Sequence, residues 1–407
     1  RQMKSAPIPD EKVVADFLEH SKKIIQDEIG EELKHFGYSF NQWYNHLNHS
    51  KQMDMDKVKD FYESNTDKYT QKELYDIASW IYEAICKVEL QNTDGKPRMV
   101  CSIPKRMKYI MGPITWKLEE IFTEKLRGYC GGKNLTQMEE MINKYIDEGF
   151  TKVVEGDGSA FDNTQDVSLK EIDRYIYRQI YHSIYHVPLK DFVRASQMLK
   201  KKMRVCTIEN KKKKTILEYE ILGTVFSGDC DTTLMNTTRM ALYNRYINDK
   251  AGLVYGQDYI CFSKGDDFTV MYKPYVDNDF IVAAYYKYFL PATKSPDKVD
   301  DRMYGLGQVL KFIEIGDPTI IKFCSLRAWE KDILGHIYLT RDIGKFYNLT
   351  KYSRKIKTYN LTQRYEYLVQ QAVALKIAYP KIKIMNAMAD AYLKKANELP
   401  VDERLKK

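Results

Sequence analysis

Apolar residues recur along this chain in two rhythms. In LKEIDRYIYRQIYHSIYH (169–186), Ile172, Ile176, Ile180 and Ile184 return every fourth residue, the stripe of an amphipathic helix. Residues 10–90 carry the same helical spacing, with polar breaks expected near Gly30, Gly37 and MDMDKVKDFYE (53–63). WKLEEIFTEKL (116–126), DTTLMNTTRMALYNRYIND (231–249) and most of 330–407 also read as helix, interrupted at Pro380 and Pro400. A shorter, strand-like rhythm marks the start of TKVVEGDGSAFDN (151–163), and also MRVCTIE (203–209) and TILEYEI (215–221), with ENKKKK as the turn between the last two. FSKGDDFTV (262–270) reads as a hairpin turning at its glycine. Residues 150–330 thus run strand, helix, hairpin, helix, hairpin, which predicts an α+β fold rather than a regular βαβ alternation. GKPRMVCSIPKRMK (95–108) fits neither helix nor apolar strand: it holds two prolines, five basic residues and no acid, and reads as an extended basic strand or loop.

Composition narrows the class. With 407 residues, 44% of them hydrophobic and 29% charged, the chain can bury a large core divided into subdomains. The net charge of +8 is mild for this length, so where the charge sits matters more than its sum. The seven cysteines form no CxxC pair, which predicts free thiols in a reducing compartment. No apolar run approaches about 18 residues, so no spanning helix is expected. The opening RQMKSAPIPDEK does not read as a signal peptide and lacks an initiator Met, which suggests a fragment or processed product. Neither GxGxxG nor GxxxxGK[ST] occurs, which argues against a doubly wound nucleotide fold.

The candidate chemistry lies in carboxylates. Asp266 and Asp267 stand side by side after Gly265, an ordinary turn or else a cation site. Asp157 ends a strand between two glycines, and Asp162 follows five residues later, a turn or helix cap if taken alone. A strand ending in Asp157 packed against a hairpin tipped by Asp266 would gather three carboxylates, stable when half-buried only with a cation. Hard divalent ions suit such oxygens, and a pair of them can clamp an in-line phosphoryl displacement. VFSGDCDTTLMNTT (225–238) adds a flexible Ser227-Gly228 turn, then Thr232 and Asn236 on the first turns of a helix. Its hydroxyl and amide groups suit a sugar-binding pocket, and its acids equally suit a helix cap.

Asp157 and Asp162, then Ser227, Gly228, Thr232 and Asn236, then Gly265, Asp266 and Asp267, in that order and spacing, resemble motifs A, B and C of viral RNA-directed RNA polymerases. The basic hairpin and the SGD sequence look most like the tombusvirus-related positive-strand group. The resemblance implies a right-hand fold with fingers, an antiparallel palm with helices, and a helical thumb. Residues 1–150 would hold the N-terminal region and fingers, 151–335 the palm with a fingers hairpin near 199–223, and 336–407 the thumb. It further implies two Mg²⁺ or Mn²⁺ ions on Asp157 and Asp266 with Asp267 beside them, and ribose selection by Asp162 and Asn236 with support from Thr232. Lys96, Arg98, Lys105 and Arg106 would meet the triphosphate as motif F. Lys294 would protonate the leaving pyrophosphate as motif D, and Cys324 and Ser325 would grip the RNA 3′ end as motif E. The implied reaction is RNA-templated RNA synthesis from nucleoside triphosphates during viral genome replication. Template and product RNA would be partners, with a membrane surface or other replication proteins beside them, in membrane-associated complexes of the host cytoplasm. The resemblance spans about residues 95–330.

Charge distribution agrees with an RNA partner. Residues 200–214 hold eight basic side chains against Glu209, and 351–383 hold eight against Glu366, interleaved with tyrosines. A solvated face explains the 211–214 run as well. His182 and His186, spaced as a zinc pair would be, have no third ligand in view and read as packing. Two rival functions remain open: a reverse transcriptase, which tends to carry a bulky aromatic where Asp162 stands, and a non-catalytic RNA-binding protein of polymerase-like fold.

Overall fold

Asp10 opens the first helix, α1 (Glu11–Lys34), by accepting hydrogen bonds from the backbone N–H groups of Lys12 and Val13, donors the helix itself cannot satisfy. The computed structural model describes residues 7–65, 81–86, 99–159, 161–184, 201–209, 212–221, 225, 228–292, 303–342 and 359–401. The chain divides into two compact units. One holds residues 1–89, 94–324 and 328–339; the other holds 90–93, 325–327 and 340–407.

In the first unit α1 is followed by α2 (Phe40–His46), α3 (His49–Glu63), β1 (Ile81–Cys86) and β2 (Met99–Ser102). Next come α4 (Lys105–Lys125), α5 (Leu135–Asp147), β3 (Lys152–Gly158), α6 (Phe161–Thr164) and α7 (Glu171–Ile180). A hairpin of β4 (Lys201–Glu209) and β5 (Lys212–Ile221) precedes α8 (Thr232–Lys250), β6 (Tyr259–Lys264) and β7 (Asp267–Tyr272). Then follow α9 (Asn278–Tyr288), β8 (Phe289–Pro291) and β9 (Gln308–Gly316). The strand order ends with the paired β10 (Leu326–Glu330) and β11 (Ile337–Arg341), of which residues 328–330 and 337–339 belong to this unit.

Five strands make one sheet in the order β6-β7-β3-β9-β8, and four make another in the order β2-β1-β4-β5. Pairing is antiparallel except at β8–β9 and β1–β4. The α+β expectation is thereby met. The strand β3 is central, and Val153 and Val154 are fully buried. Over the sheet lies α8, every residue of which from Leu234 to Asn248 is buried. Its polar side chains are paired inside the core: the hydroxyl of Tyr285 donates to Asn244 Oδ1 at 2.6 Å, and that of Tyr272 to Asn248 Oδ1 at 2.7 Å.

The second unit contains α10 (Leu361–Ala378) and α11 (Lys383–Asn397). Asn360 and Gln363 form a reciprocal capping box at the start of α10. Pro380 falls in the short connection, as expected, and Ala372, Leu375, Met385 and Ala389 are buried.

Several local expectations are corrected. Helix α1 runs through Gly30, which lies on its buried face. MDMDKVKDFYE is not a break but the body of α3; Met55 and Val58, three residues apart, supply its buried stripe while the charges point outward. Residues 81–86 form a strand inside a region whose spacing predicts helix, paired to both β2 and β4. Among its described residues the basic segment is a strand at β2, and helix begins at Lys105 directly after Pro104 and continues through Pro113. A proline inside a helix removes an internal donor and usually ends it. Here the neighbouring Thr115 hydroxyl donates back to the carbonyls of Met111 and Gly112. The ENKKKK turn is also shorter than expected, since Glu209 pairs with Lys212 in the strand ladder. Residues 326–341 form a ribbon, although helix is expected from 330 onward.

Candidate functional site

The site is built where the ends of β3, β6 and β7 meet the start of α8. In β3, Gly156 faces the ring of Phe268 so closely that a Cβ there would fall 2.2 Å from it. That contact explains the glycine before Asp157: the backbone must approach an aromatic ring, which any side chain would prevent. Asp157 then stands directly opposite Asp267 across the β3–β7 pair. Between β6 and β7 the turn consists of Gly265 and Asp266, with Gly265 at φ 66°, a conformation suited to glycine in a two-residue hairpin loop. The Gly158 N–H points at the carbonyl of Asp266 at 3.5 Å. Gly265 N–H donates at 2.9 Å to the hydroxyl of Thr237, a fully buried residue of α8. The turn is therefore fastened on one side to β3 and on the other to α8.

The two aspartates of the turn raise the question of their mutual repulsion. Below about pH 6, part of the answer is a proton. Burial, and then the charges of Asp266 and Asp157, push the Asp267 carboxyl up to about 6, while hydrogen bonds from Cys324 pull the other way. The other part is a lysine. Lys311 Nζ lies 2.5 Å from Asp157 Oδ2. It reaches there because β9 carries a bulge: Asp157 pairs with Phe312 but Gly158 with Leu310, leaving Lys311 as the extra residue opposite that step. Beneath the pair, Glu155 is buried on β3, accepts the Thr269 hydroxyl at 2.5 Å, and is pushed up to about 8 by burial.

Asp162 sits on the first turn of α6. Asn236 Nδ2 donates to its Oδ1 at 2.6 Å, which ties α6 to α8. Burial and the charge of Asp266 raise the Asp162 carboxyl above its ordinary range, while Asn236 and Arg239 oppose the rise. Behind Asn236 lies a buried ion pair. Arg239 is fully buried, its Nη1 bonds Asp173 Oδ2 on α7, and its Nη2 donates to Asn236 Oδ1 at 2.6 Å. Removing one partner of such a pair leaves a buried charge uncompensated, a loss of about 3–5 kcal/mol.

The expected residues thus fall into three groups. Asp157, Asp266, Asp267, Asp162 and Asn236 are brought together, with Gly228 in the turn that leads to α8. Thr232 is adjacent, but its hydroxyl and N–H are used locally on the carbonyl of Asp229 at 3.1 and 3.3 Å. Cys324 reaches Asp267, and both it and Ser325 have left-handed backbones, φ 53° and 64°. Lys105 and Arg106 engage α3 instead: Lys105 bonds Asp54 at 2.5 Å, and the Arg106 guanidinium lies 5.0 Å from the Phe61 ring centre. Lys96, Arg98, Ser227 and Lys294 lie outside the described residues.

Sequence reasoning missed Lys311, Thr237, Arg239, Asp173 and Glu155. Two of these carried a signal. Asp173 follows Ile172 and precedes Ile176 on a buried helix, so an acid there needs a partner; Arg239 is three residues after Asn236, on the same helix face.

Whether these residues fit a divalent cation can be judged from the same geometry. Among the described residues no group of three or more His, Cys, Asp or Glu is arranged so that it could hold a metal ion. The three carboxylates are neighbours through backbone register, and one oxygen of Asp157 holds the Lys311 ammonium. The donors are hard oxygens, and the Asp267 carboxyl is raised first by burial and then by the charges of Asp266 and Asp157. The donor chemistry suits a divalent ion, but as the side chains stand one Asp157 oxygen is taken by Lys311, whose side chain is 45% exposed. No protein-family model matches the chain, and no curated protein matches it. Among the described residues no helix is long and apolar enough to cross a membrane.

Proposed function

We propose that the chain is an RNA-directed RNA polymerase that extends an RNA 3′-hydroxyl with nucleoside triphosphates on an RNA template. One observation supports this reading above others. The segments resembling motifs A, B and C, more than a hundred residues apart at their extremes, lie in mutual contact through Asp157–Asp267 register, the Asn236–Asp162 bond and the Gly265–Thr237 bond. In this reading the five-stranded sheet is the palm, the four-stranded sheet belongs to the fingers, and the helices of the second unit are the thumb.

Asp157, Asp266 and Asp267 would hold two Mg²⁺ or Mn²⁺ ions. When bound, such ions neutralise charge on the attacking and leaving oxygens. In the reaction the 3′-oxygen forms a bond to the α-phosphorus, the bond to pyrophosphate breaks, and the hydroxyl proton is released. Lys311 supplies the positive charge that steadies Asp157 until substrate arrives. Asp162 and Asn236 offer polar groups to the ribose, and a sugar lacking the 2′-hydroxyl leaves them unpaired. Support of the sugar pocket by Thr232, whose hydroxyl donates to the Asp229 carbonyl, rests on resemblance. The triphosphate role of Lys96 and Arg98 and the acid role of Lys294 rest on resemblance alone, as do an RNA grip by Cys324 and Ser325 and residence in replication complexes of the host cytoplasm.

The test is Asp266→Ala in a purified assay on a short RNA template. Incorporation is expected to vanish while circular dichroism and melting stay those of the parent. Retained synthesis would overturn the proposal. Preference of the parent for deoxynucleotides would mark a reverse transcriptase, and RNA binding without turnover a non-catalytic protein.

A further inference from the structure

The orientation of the Asn236 amide is fixed from behind. A guanidinium carries donors and no acceptor, so the 2.6 Å contact from Arg239 Nη2 requires the amide oxygen to face it. The Asp162 carboxylate only accepts, so the 2.6 Å contact on its Oδ1 requires the amide nitrogen. Both contacts demand the same rotamer; a flipped amide would set donor against donor and acceptor against acceptor. Arg239 cannot move to relax this, because it is fully buried and paired with Asp173, which is 1% exposed. Asn236 and Arg239 also leave the same face of α8, three residues apart, so the helix itself sets their spacing. Asn236 is left with one N–H for anything entering the site, and Asp162 with its second oxygen.

We infer that Arg239, held by Asp173, is a positioning residue that fixes the hydrogen-bonding sense of the sugar pocket: it locks Asn236 as a donor beside the acceptor Asp162. The inference rests on the polymerase reading and names the residues that set its sugar specificity. A hydroxyl both accepts and donates, so a 2′-hydroxyl satisfies the pair, whereas a 2′-hydrogen satisfies neither member. Neither Arg239 nor Asp173 touches the sugar. Their effect passes through the amide alone.

The experiment compares kcat/KM for a ribonucleotide and its 2′-deoxy counterpart in the full chain. Arg239→Met with Asp173→Leu removes the donor and its counter-charge together, avoiding a stranded buried ion. Arg239→Gln with Asp173→Asn keeps a neutral donor for the Asn236 oxygen. The first pair is expected to lower the ribo-to-deoxy ratio about tenfold, through loss of ribonucleotide use; the second is expected to stay within about twofold of the parent. Equal losses for both nucleotides in the first pair, or an equal drop of the ratio in both pairs, would show a merely structural role and overturn the inference. If the apolar pair fails to fold, Asn236→Asp decides: it keeps Arg239 but removes the donor, and an unchanged ratio overturns the inference. A parent protein that incorporates neither nucleotide overturns the polymerase reading itself, and one that does not prefer ribonucleotides removes the sugar pocket and this inference together.

Discussion

Asp267→Asn should make the metal-free protein more stable at pH 8 than the parent. The Asp267 carboxyl stands at about 6 in the folded state against an ordinary 3.8. Each tenfold gain in proton affinity is worth about 1.4 kcal/mol, so the gain of roughly a hundredfold sets a ceiling of about 3 kcal/mol. The folded state binds the proton more tightly than the unfolded state does. Its stability contribution is therefore full below about 3.8 and is lost as pH rises through 6. The amide, which cannot ionise, escapes that loss. At pH 4 the parent is already protonated when folded, and the gap between the two proteins should shrink to about 0.6 kcal/mol. Burial and the charges of Asp266 and Asp157 are the causes, and the amide keeps the shape while removing the charge. Glu155, pushed up to about 8 mainly by burial and in lesser part by the Asp267 charge, titrates in both proteins, so the amide also eases its ionisation. Urea denaturation with chelator present, at both pH values, measures the gap. A variant less stable than its parent at pH 8, or a gap that does not change with pH, would refute the reasoning.

Other substitutions test the scaffold around that carboxyl. Lys311→Met removes the partner of Asp157 and should destabilise the metal-free protein by about 0.2–1 kcal/mol, since the pair is partly exposed; the same measurement with Mg²⁺ should recover more stability in the variant than in the parent. Thr237→Val leaves the Gly265 N–H without its acceptor and should cost about 1–3 kcal/mol in urea denaturation. Gly156→Ala places a methyl group 2.2 Å from the Phe268 ring and should lower the melting temperature by several degrees, with about 1–3 kcal/mol of overpacking.

The elements around the carboxylates were legible because their signals are local. Val153 and Val154 lead a strand that runs to Gly158, and the Ile172–Ile184 stripe is fully buried, although the helix it predicts ends at Ile180 and Ile184 follows a single 3-10 turn. The β6–β7 hairpin can be read from the glycine at its tip. What the sequence hid is set by partners distant in the chain. Lys311 lies in QVLKFIEIG, where a lone lysine in an alternating strand reads as a solvent-facing residue; it is indeed half-exposed, and only the bulge opposite Asp157 brings its ammonium to that carboxylate. The β1 strand lies between β2, close in the chain, and β4, more than a hundred residues downstream, and neither pairing shows in its own residues. Lys105 and Arg106 read as free cations until Asp54 and Phe61 of α3 are placed beside them.

The central position of β3 has a consequence for how this chain comes into being. Both its neighbours, β7 and β9, are made well over a hundred residues after it. At ribosomal rates of about 5–20 residues per second, the strand emerges on the order of ten seconds before either flank exists. During that interval an apolar segment carrying Val153 and Val154 has two unpaired edges, the condition under which nascent chains associate with one another. Slowing translation between residues 158 and 267 would lengthen the exposure, and chaperone demand should follow the codon speed of that stretch more closely than that of any other.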